Sequence, residues 1–171
     1  MSAETRNREE IGIRTANETD LAAINDIYNF YVDHSTCTYQ TQAETMADRK
    51  AWFAAHGKSY PIFVAERNGE IVGWGSISRF HPRAGYRFAV ENSIYLRKDS
   101  LRMGIGARLL ELFIQESRRL GYHTIIAGIS GEQTASIELH RKFGFTEAGR
   151  LREVGYKFDQ WLDVIYMQLR L

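Results

Sequence analysis

Ser93-Ile-Tyr-Leu-Arg-Lys-Asp-Ser-Leu-Arg-Met-Gly-Ile-Gly-Ala-Arg-Leu-Leu110 runs from a strand, through a loop with two glycines, into a helix. The helix is read from Ile105, Leu109, Leu110, Phe113, Ile114 and Leu120, which recur at helical spacing within residues 104–120. Gly104 and Gly106 carry no side chain to block an approaching ligand. The first backbone N–H groups of a helix lack intrahelical acceptors and sit at the positive end of its dipole. Together these features make an anion site suited to a pyrophosphate. Arg102 and Arg108, with Arg97 and Lys98 nearby, can add charge. The pattern completes neither of two other phosphate loops. A dinucleotide fingerprint needs a third glycine where Leu109 stands, and a P-loop needs Gly-Lys-Ser/Thr. Gly-x-Gly by itself serves a purely structural helix entry equally well.

Outward from this segment, alternation marks a strand over 11–15, and Asn17 or Thr19 can cap a helix over 20–32. Residues 36–42 read as irregular or as a short β-rich stretch. A helix over 46–56 ends at Gly57. Residues 61–66 and 70–78 flank Asn68-Gly69, a strong hairpin signal. Further strands are expected at 89–96, 123–129, 151–156 and 162–171, with a helix over 134–143 closed by Gly144. The order β-α-α-β-β-β-α-β-α-β-β gives a mixed α/β fold with helices packed on one sheet.

A chain of 171 residues fits one domain, expected over residues 11–171, by the prior of ~100–200 residues per domain. The polar residues 1–10 are expected to be flexible. Lys+Arg of 22 against Asp+Glu of 21 disfavours a nucleic-acid binder driven by bulk charge. The single cysteine, Cys37, excludes an internal disulfide and a cysteine-based zinc cluster and is read as structural. From the polar opening no signal peptide is expected, and no run of about 18 apolar residues suggests a membrane span. A cytoplasmic protein is expected, with no nucleic-acid or membrane partner. Without a Cys cluster or a His-x-x-x-His pair, no metal is expected.

Residues 101–106, Leu-Arg-Met-Gly-Ile-Gly, resemble the acyl-CoA loop Gln/Arg-x-x-Gly-x-Gly/Ala of the GCN5-related N-acetyltransferase (GNAT) superfamily, with Leu101 in place of the first Gln or Arg. Five further blocks resemble its phosphinothricin and methionine sulfoximine N-acetyltransferase branch: Ile24-Asn-Asp-Ile-Tyr-Asn29, Tyr60-Pro-Ile-Phe-Val-Ala65, Val90-Glu-Asn-Ser-Ile-Tyr-Leu96, Ala135-Ser-Ile-Glu-Leu-His-Arg-Lys-Phe-Gly-Phe145 and Gly155-Tyr-Lys-Phe-Asp-Gln-Trp-Leu-Asp-Val164. The resemblance implies a V-shaped, mostly antiparallel sheet of about seven strands with about four helices, open between 89–96 and 123–129. It implies acetyl-CoA as co-substrate, pantetheine in that opening, and a homodimer. The cofactor residues implied are Ile94, Leu96, Arg102, Met103, Gly104, Ile105, Gly106, Ala107, Gln133 and Ser136. Gln133 stands where the superfamily usually has Asn.

Acetyl transfer to an amine requires a base for the ammonium proton, donors for the tetrahedral oxyanion and protonation of the departing thiolate. Glu91 follows Phe88, Ala89 and Val90, so its carboxylate is expected to lose hydration and rise in pKa. A solvent-facing strand glutamate is the plain alternative; in the branch this position is the proposed base. Asn92 breaks the apolar run of Val90, Ile94 and Leu96, which is consistent with a bulge. His140 shares a helix face with Ser136 and occupies the place of the superfamily's tyrosine near the CoA sulfur. Residues alone leave open which of Glu91 and His140 is acid and which is base. In the loop of residues 80–88, Arg83, Tyr86 and Arg87 are candidates to hold an acidic acceptor, and His81 reads as an ordinary loop residue. Trp52, Trp74 and Trp161 read as core or interface aromatics, and Trp161 can line the pocket.

The expected activity is acetyl-CoA-dependent N-acetylation of the α-amino group of a small amino-acid analogue of the phosphinothricin or methionine sulfoximine type. The alternatives are acetylation of a protein N-terminus, polyamine or aminoglycoside, or a non-catalytic acyl-CoA-binding module.

Overall fold

The computed structural model describes residues 11–171, so the expectation of a flexible 1–10 segment lies outside the described residues. One seven-stranded sheet runs in the order β1-β2-β3-β4-β5-β7-β6. Its strands are β1 (Gly12–Thr15), β2 (Ile62–Arg67), β3 (Glu70–Arg79), β4 (Ala89–Leu96), β5 (Thr124–Ser130), β6 (Thr146–Lys157) and β7 (Gln160–Arg170). The helices are α1 (Leu21–His34), α2 (Met46–Ala54), α3 (Ile105–Arg119) and α4 (Thr134–Lys142).

Two apolar layers hold the sheet. Ile105, Leu109, Leu110 and Phe113 of α3 pack on Val72, Val90, Ile125 and Ala127. Leu21, Ile24 and Ile27 of α1 pack on Ile62, Val64 and Trp74 on the other face. The 3.6-residue stripe on α3 and the two-residue alternation of the strands produce both layers. Arg49 of α2 is buried against the second layer. Its guanidinium lies 4.7 Å from the rings of both Tyr28 and Trp52 and pairs with Glu44 at 2.6 Å. Ion pairing and the π faces offset the desolvation of that charge.

All strand pairs are antiparallel except β4 with β5, whose register is Ala89↔Thr124, Val90↔Ile125 and Glu91↔Ile126. Pairing then stops and the two strands part. The expected bulge at Asn92 is absent: β4 pairs with β3 without a shift from Val90 to Leu96. Backbone groups along this stretch lose strand partners because β5 leaves, not because β4 kinks.

Local chemistry accounts for the other boundaries. Asn17, not Thr19, caps the entry: its side chain accepts from the Thr19 N–H, and Asp20 returns a bond to the Asn17 N–H. Residues 36–42 are irregular. The final hairpin is longer than expected, with β6 starting at Thr146 instead of residue 151. Two register shifts interrupt β6, and Glu153 takes φ 50°. Phe158 and Asp159, at φ 52° and 57°, form a tight left-handed turn without the glycine that usually signals one.

Candidate active site

The parting of β4 and β5 places Glu91 at the last paired position before the opening. Glu91 is half-buried. Burial pushes its carboxyl up from the ordinary carboxylate range, and the Gly128 N–H draws it partly back. Gly128, across the cleft on β5, leaves room for it: a Cβ there would lie 3.2 Å from Glu91 Oε1 and 3.4 Å from the Tyr166 ring.

Side chains alternate along β4, so Asn92 faces the opposite side of the sheet from Glu91. Asn92 is buried, and its Nδ2 lies 3.0 Å from His140 Nε2. His140 Nδ1 lies 2.8 Å from the Ser136 carbonyl oxygen one turn earlier on α4. The His140 ring is buried and packs edge-on to Phe145 at 5.0 Å, and burial pushes its pKa down. Glu91 and His140 thus flank one strand from opposite faces.

At the far end of the opening, Gly104 caps α3 with φ 80°, a conformation only glycine adopts without strain. Arg102 also takes a left-handed φ, 62°, and is exposed, as is Met103. Arg67 Nη1 reaches Met103 Sδ at 3.2 Å. Ile105 buries its side chain completely, which fixes the first turn and leaves the N–H groups of Ile105, Gly106 and Ala107 aimed outward. A Cβ on Gly106 would lie 3.3 Å from Leu139 of α4 and 3.8 Å from Leu96. Ile94 and Leu96 line the unpaired part of β4 and pack on the core. Gly106 thus brings the first turn of α3 close to Leu96 of β4 and to Leu139 of α4. Arg97 pairs with Glu70 and Asp99, and Arg108 donates to the Ile11 carbonyl, so both already have partners.

The chain from 13 to 166 matches the model of the acetyltransferase (GNAT) domain family. The chain belongs to the GNAT acetyltransferase family. It is 39% identical over 160 residues to the L-methionine sulfoximine/L-methionine sulfone acetyltransferase of Salmonella typhimurium, covering 93% of this chain and 94% of that one. It is 33% identical to the phosphinothricin N-acetyltransferase of Alcaligenes faecalis, covering 91% of this chain and 80% of that one. Among solved structures, YncA of Salmonella typhimurium with its cofactor acetyl-CoA superposes with a TM-score of 0.91 at 38% identity, covering 94% of each chain.

Within this GNAT domain, two sequence candidates sit differently from their expected settings. Gln133 stands at the start of α4 without capping it, and its Nε2 turns to Thr36 Oγ1 at 3.4 Å. Arg87 stacks over Phe88 at 4.5 Å and donates to the Ala84 carbonyl of its own turn. Arg83 and Tyr86 are exposed in the same turn, with Tyr86 packed between Phe80 and His81. Trp74 is core, whereas Trp161 is 63% exposed and packs on Tyr156.

Lys157 and Tyr39 tie down the loop after α1. Lys157 Nζ donates to the carbonyls of Ser35 at 2.7 Å, Thr38 at 2.9 Å and Tyr31 at 3.4 Å. Tyr39 OH donates to the Asp163 carbonyl at 2.6 Å, and its ring lies where a side chain on Gly155 would stand. Gly128, Tyr39 and the bond between Asn92 and His140 were missed in the sequence, because each acts only on a residue far away along the chain. A cavity of about 950 Å³ lies elsewhere, among the C-terminal ends of α2 and α3 and the start of β2, and includes neither Glu91 nor His140. Among the described residues no cluster of three or more His, Cys, Asp or Glu is placed to hold a metal, and no helix is long and apolar enough to cross a membrane.

Proposed function

We propose that this protein, a single domain over residues 11–171, transfers the acetyl group of acetyl-CoA to the α-amino group of a small amino-acid analogue of the methionine sulfoximine or phosphinothricin type. The observation that carries this reading is Glu91, a half-buried carboxylate with a raised pKa at the point where β4 and β5 part. Ammonium has no lone pair, so attack on the thioester requires the amine to lose a proton, and Glu91 takes it. The amine then attacks the thioester carbonyl directly, with no acyl-enzyme. Unpaired β4 backbone N–H groups beside the opening supply donors for the tetrahedral oxyanion. His140, on the opposite face of β4, is the proton-transfer partner on the side of the departing sulfur. The backbone from Met103 to Ala107 holds the pyrophosphate, with Arg102 adding charge; Ile94, Leu96, Gln133 and Ser136 line the pantetheine arm.

Arg83 and Arg87 supply guanidinium for the acceptor's carboxylate, with Tyr86 packing on the acceptor. Relatives named for amino-acid analogues support that acceptor class. Leu151, Val154, Tyr156, Phe158 and Trp161 leave an exposed apolar strip on the last hairpin, which suits a second copy of the chain in a homodimer. The protein acts in the cytoplasm.

The test is thiol release from acetyl-CoA with a panel of free amino acids and analogues, beside simple alkyl amines and polyamines. The expected result is turnover of methionine sulfoximine or phosphinothricin that Glu91→Gln lowers about 10²-fold or more. Preference for a polyamine or alkyl amine would overturn the acceptor class, and full kcat in Glu91→Gln would overturn the base.

A further inference from the structure

The Asn92–His140 contact fixes more than a packing arrangement. A backbone carbonyl only accepts, so the 2.8 Å contact of His140 Nδ1 with the Ser136 oxygen places a proton on Nδ1. Nε2 faces the Asn92 amide nitrogen, which only donates, at 3.0 Å. A proton on Nε2 would leave two donors facing each other, so the ring in this structure is neutral and its Nε2 is an acceptor. The cost falls on the other end of the carboxamide: Asn92 Oδ1 is buried without a hydrogen-bond partner. A buried acceptor left without a partner disfavours the arrangement that holds it so.

We propose that Asn92 is a positioning residue for proton transfer, holding His140 as a proton acceptor at Nε2 and turning its carboxamide over when Nε2 is protonated. In the turned state Nε2–H donates to Oδ1 while Nδ1–H keeps its bond to Ser136, and Nδ2 takes the place where Oδ1 had no partner. The pair therefore has two hydrogen-bonded states, and the structure holds the neutral one. No atom is gained or lost beyond the single proton that Nε2 takes up.

The groups facing the ring are few. From β4 comes Asn92; its neighbour Glu91 directs its carboxylate to the other face, toward Gly128. From its own helix comes the Ser136 carbonyl, and the chain leading into β6 contributes the Phe145 ring. Arg141 beside it pairs with Glu138 on the exposed side of α4. Asn92 is thus the polar side chain that meets Nε2. This inference rests on the reading of His140 as a proton-transfer partner and adds the residue that sets its order: in the resting protein Nε2 must first take up a proton, with Asn92 turned over, before the ring can give one to the departing sulfur.

The test is nitrogen NMR of the full chain with labelled histidine rings, His140 being identified by its loss in His140→Gln. The expected wild-type spectrum shows Nδ1 protonated and Nε2 bare near neutral pH. Asn92→Asp places a carboxylate against Nε2 and should raise the His140 titration midpoint by roughly one pH unit or more, the effect of an opposite charge in contact. Asn92→Leu, of similar shape without either polar atom, should lower that midpoint and reduce kcat about tenfold, within the range of lost proton-transfer assistance. A wild-type ring protonated at Nε2, or a midpoint unmoved in both variants, would overturn the proposal. The ring spectrum is read without turnover, so its failure is distinct from failure of the acetyltransferase reading, which Glu91→Gln tests.

Discussion

Glu91 Oε1 stands 3.2 Å from the place a Cβ on Gly128 would take, so the absence of a side chain on β5 leaves room for the proposed catalytic carboxylate on β4. Gly128→Ala should push the carboxylate out of position and lower kcat about tenfold, a change of about 1.4 kcal/mol in barrier. The KM for acetyl-CoA should stay near wild type, because the residues proposed to hold the cofactor lie beyond Glu91. Steady-state kinetics with unchanged kcat in Gly128→Ala would show that the carboxylate does not depend on this space.

The raised pKa of Glu91 has a definite sign for both rate and stability. The base must be ionised, so kcat should fall as pH drops through the folded-state value, which lies above the usual carboxylate range. A carboxyl raised by folding contributes stability below its unfolded pKa, and that contribution is lost as pH rises through the folded value. Glu91→Gln should therefore have a higher thermal midpoint than wild type near pH 7 and lose that advantage in acid. Melting curves at both pH values, beside a kcat profile whose acid limb disappears in the variant, check this. A lower midpoint at pH 7 would contradict burial as the cause of the shift.

At Gly106 a Cβ would come within 3.3 Å of Leu139, so larger side chains must press on α4 or stand in the opening. Gly106→Val should weaken acetyl-CoA binding at least about tenfold, equivalent to ~1.4 kcal/mol. Calorimetry on the folded variant reads this directly, and unchanged affinity would remove the phosphate-loop role from these glycines.

Arg87 and Arg83 test the acceptor side. Arg87 now stacks on Phe88 and would have to leave that ring to meet a carboxylate, whereas Arg83 starts from the exposed head of the turn. Loss of a charge-assisted pair is worth roughly 1.5–3 kcal/mol, so alanine at the arginine that binds should raise the acceptor KM by about tenfold or more. Acetyl-CoA KM should not move, and a simple alkyl amine should be indifferent to the change. Equal acceptor KM values in both variants and wild type would exclude the clamp.

Lys157 donates to the backbone carbonyls of Tyr31 in the last turn of α1 and of Ser35 and Thr38 just beyond it. Lys157→Met keeps the length of the stem but leaves these acceptors without their partner. The expected loss is on the order of 3 kcal/mol of stability, with a larger effect on acceptor KM than on acetyl-CoA KM. Chemical denaturation showing no change would mean that water replaces the ammonium.

The amino-acid sequence by itself determined the elements whose cause is local. The stripe of Ile105, Leu109, Leu110 and Phe113 gives α3, the Asn68-Gly69 turn gives the β2–β3 hairpin, and Gly104 gives the helix entry, because periodicity and φ preference act within a few residues. The candidate status of Glu91 and His140 was also legible, since apolar neighbours and the family motifs surround them in the chain. Tertiary structure alone decided where β4 and β5 part, and so replaced the expected bulge at Asn92 with a regular strand that has lost one neighbour. It alone joined Asn92 to His140, 48 residues apart, set Gly128 beneath Glu91, and tied Lys157 to carbonyls more than a hundred residues away. The turn at Phe158-Asp159 and the long β6 belong with these, because cross-strand pairing to β7 overrode weak local preferences. Such contacts depend on which strands become neighbours, and that follows from burying the two apolar faces of the whole sheet at once.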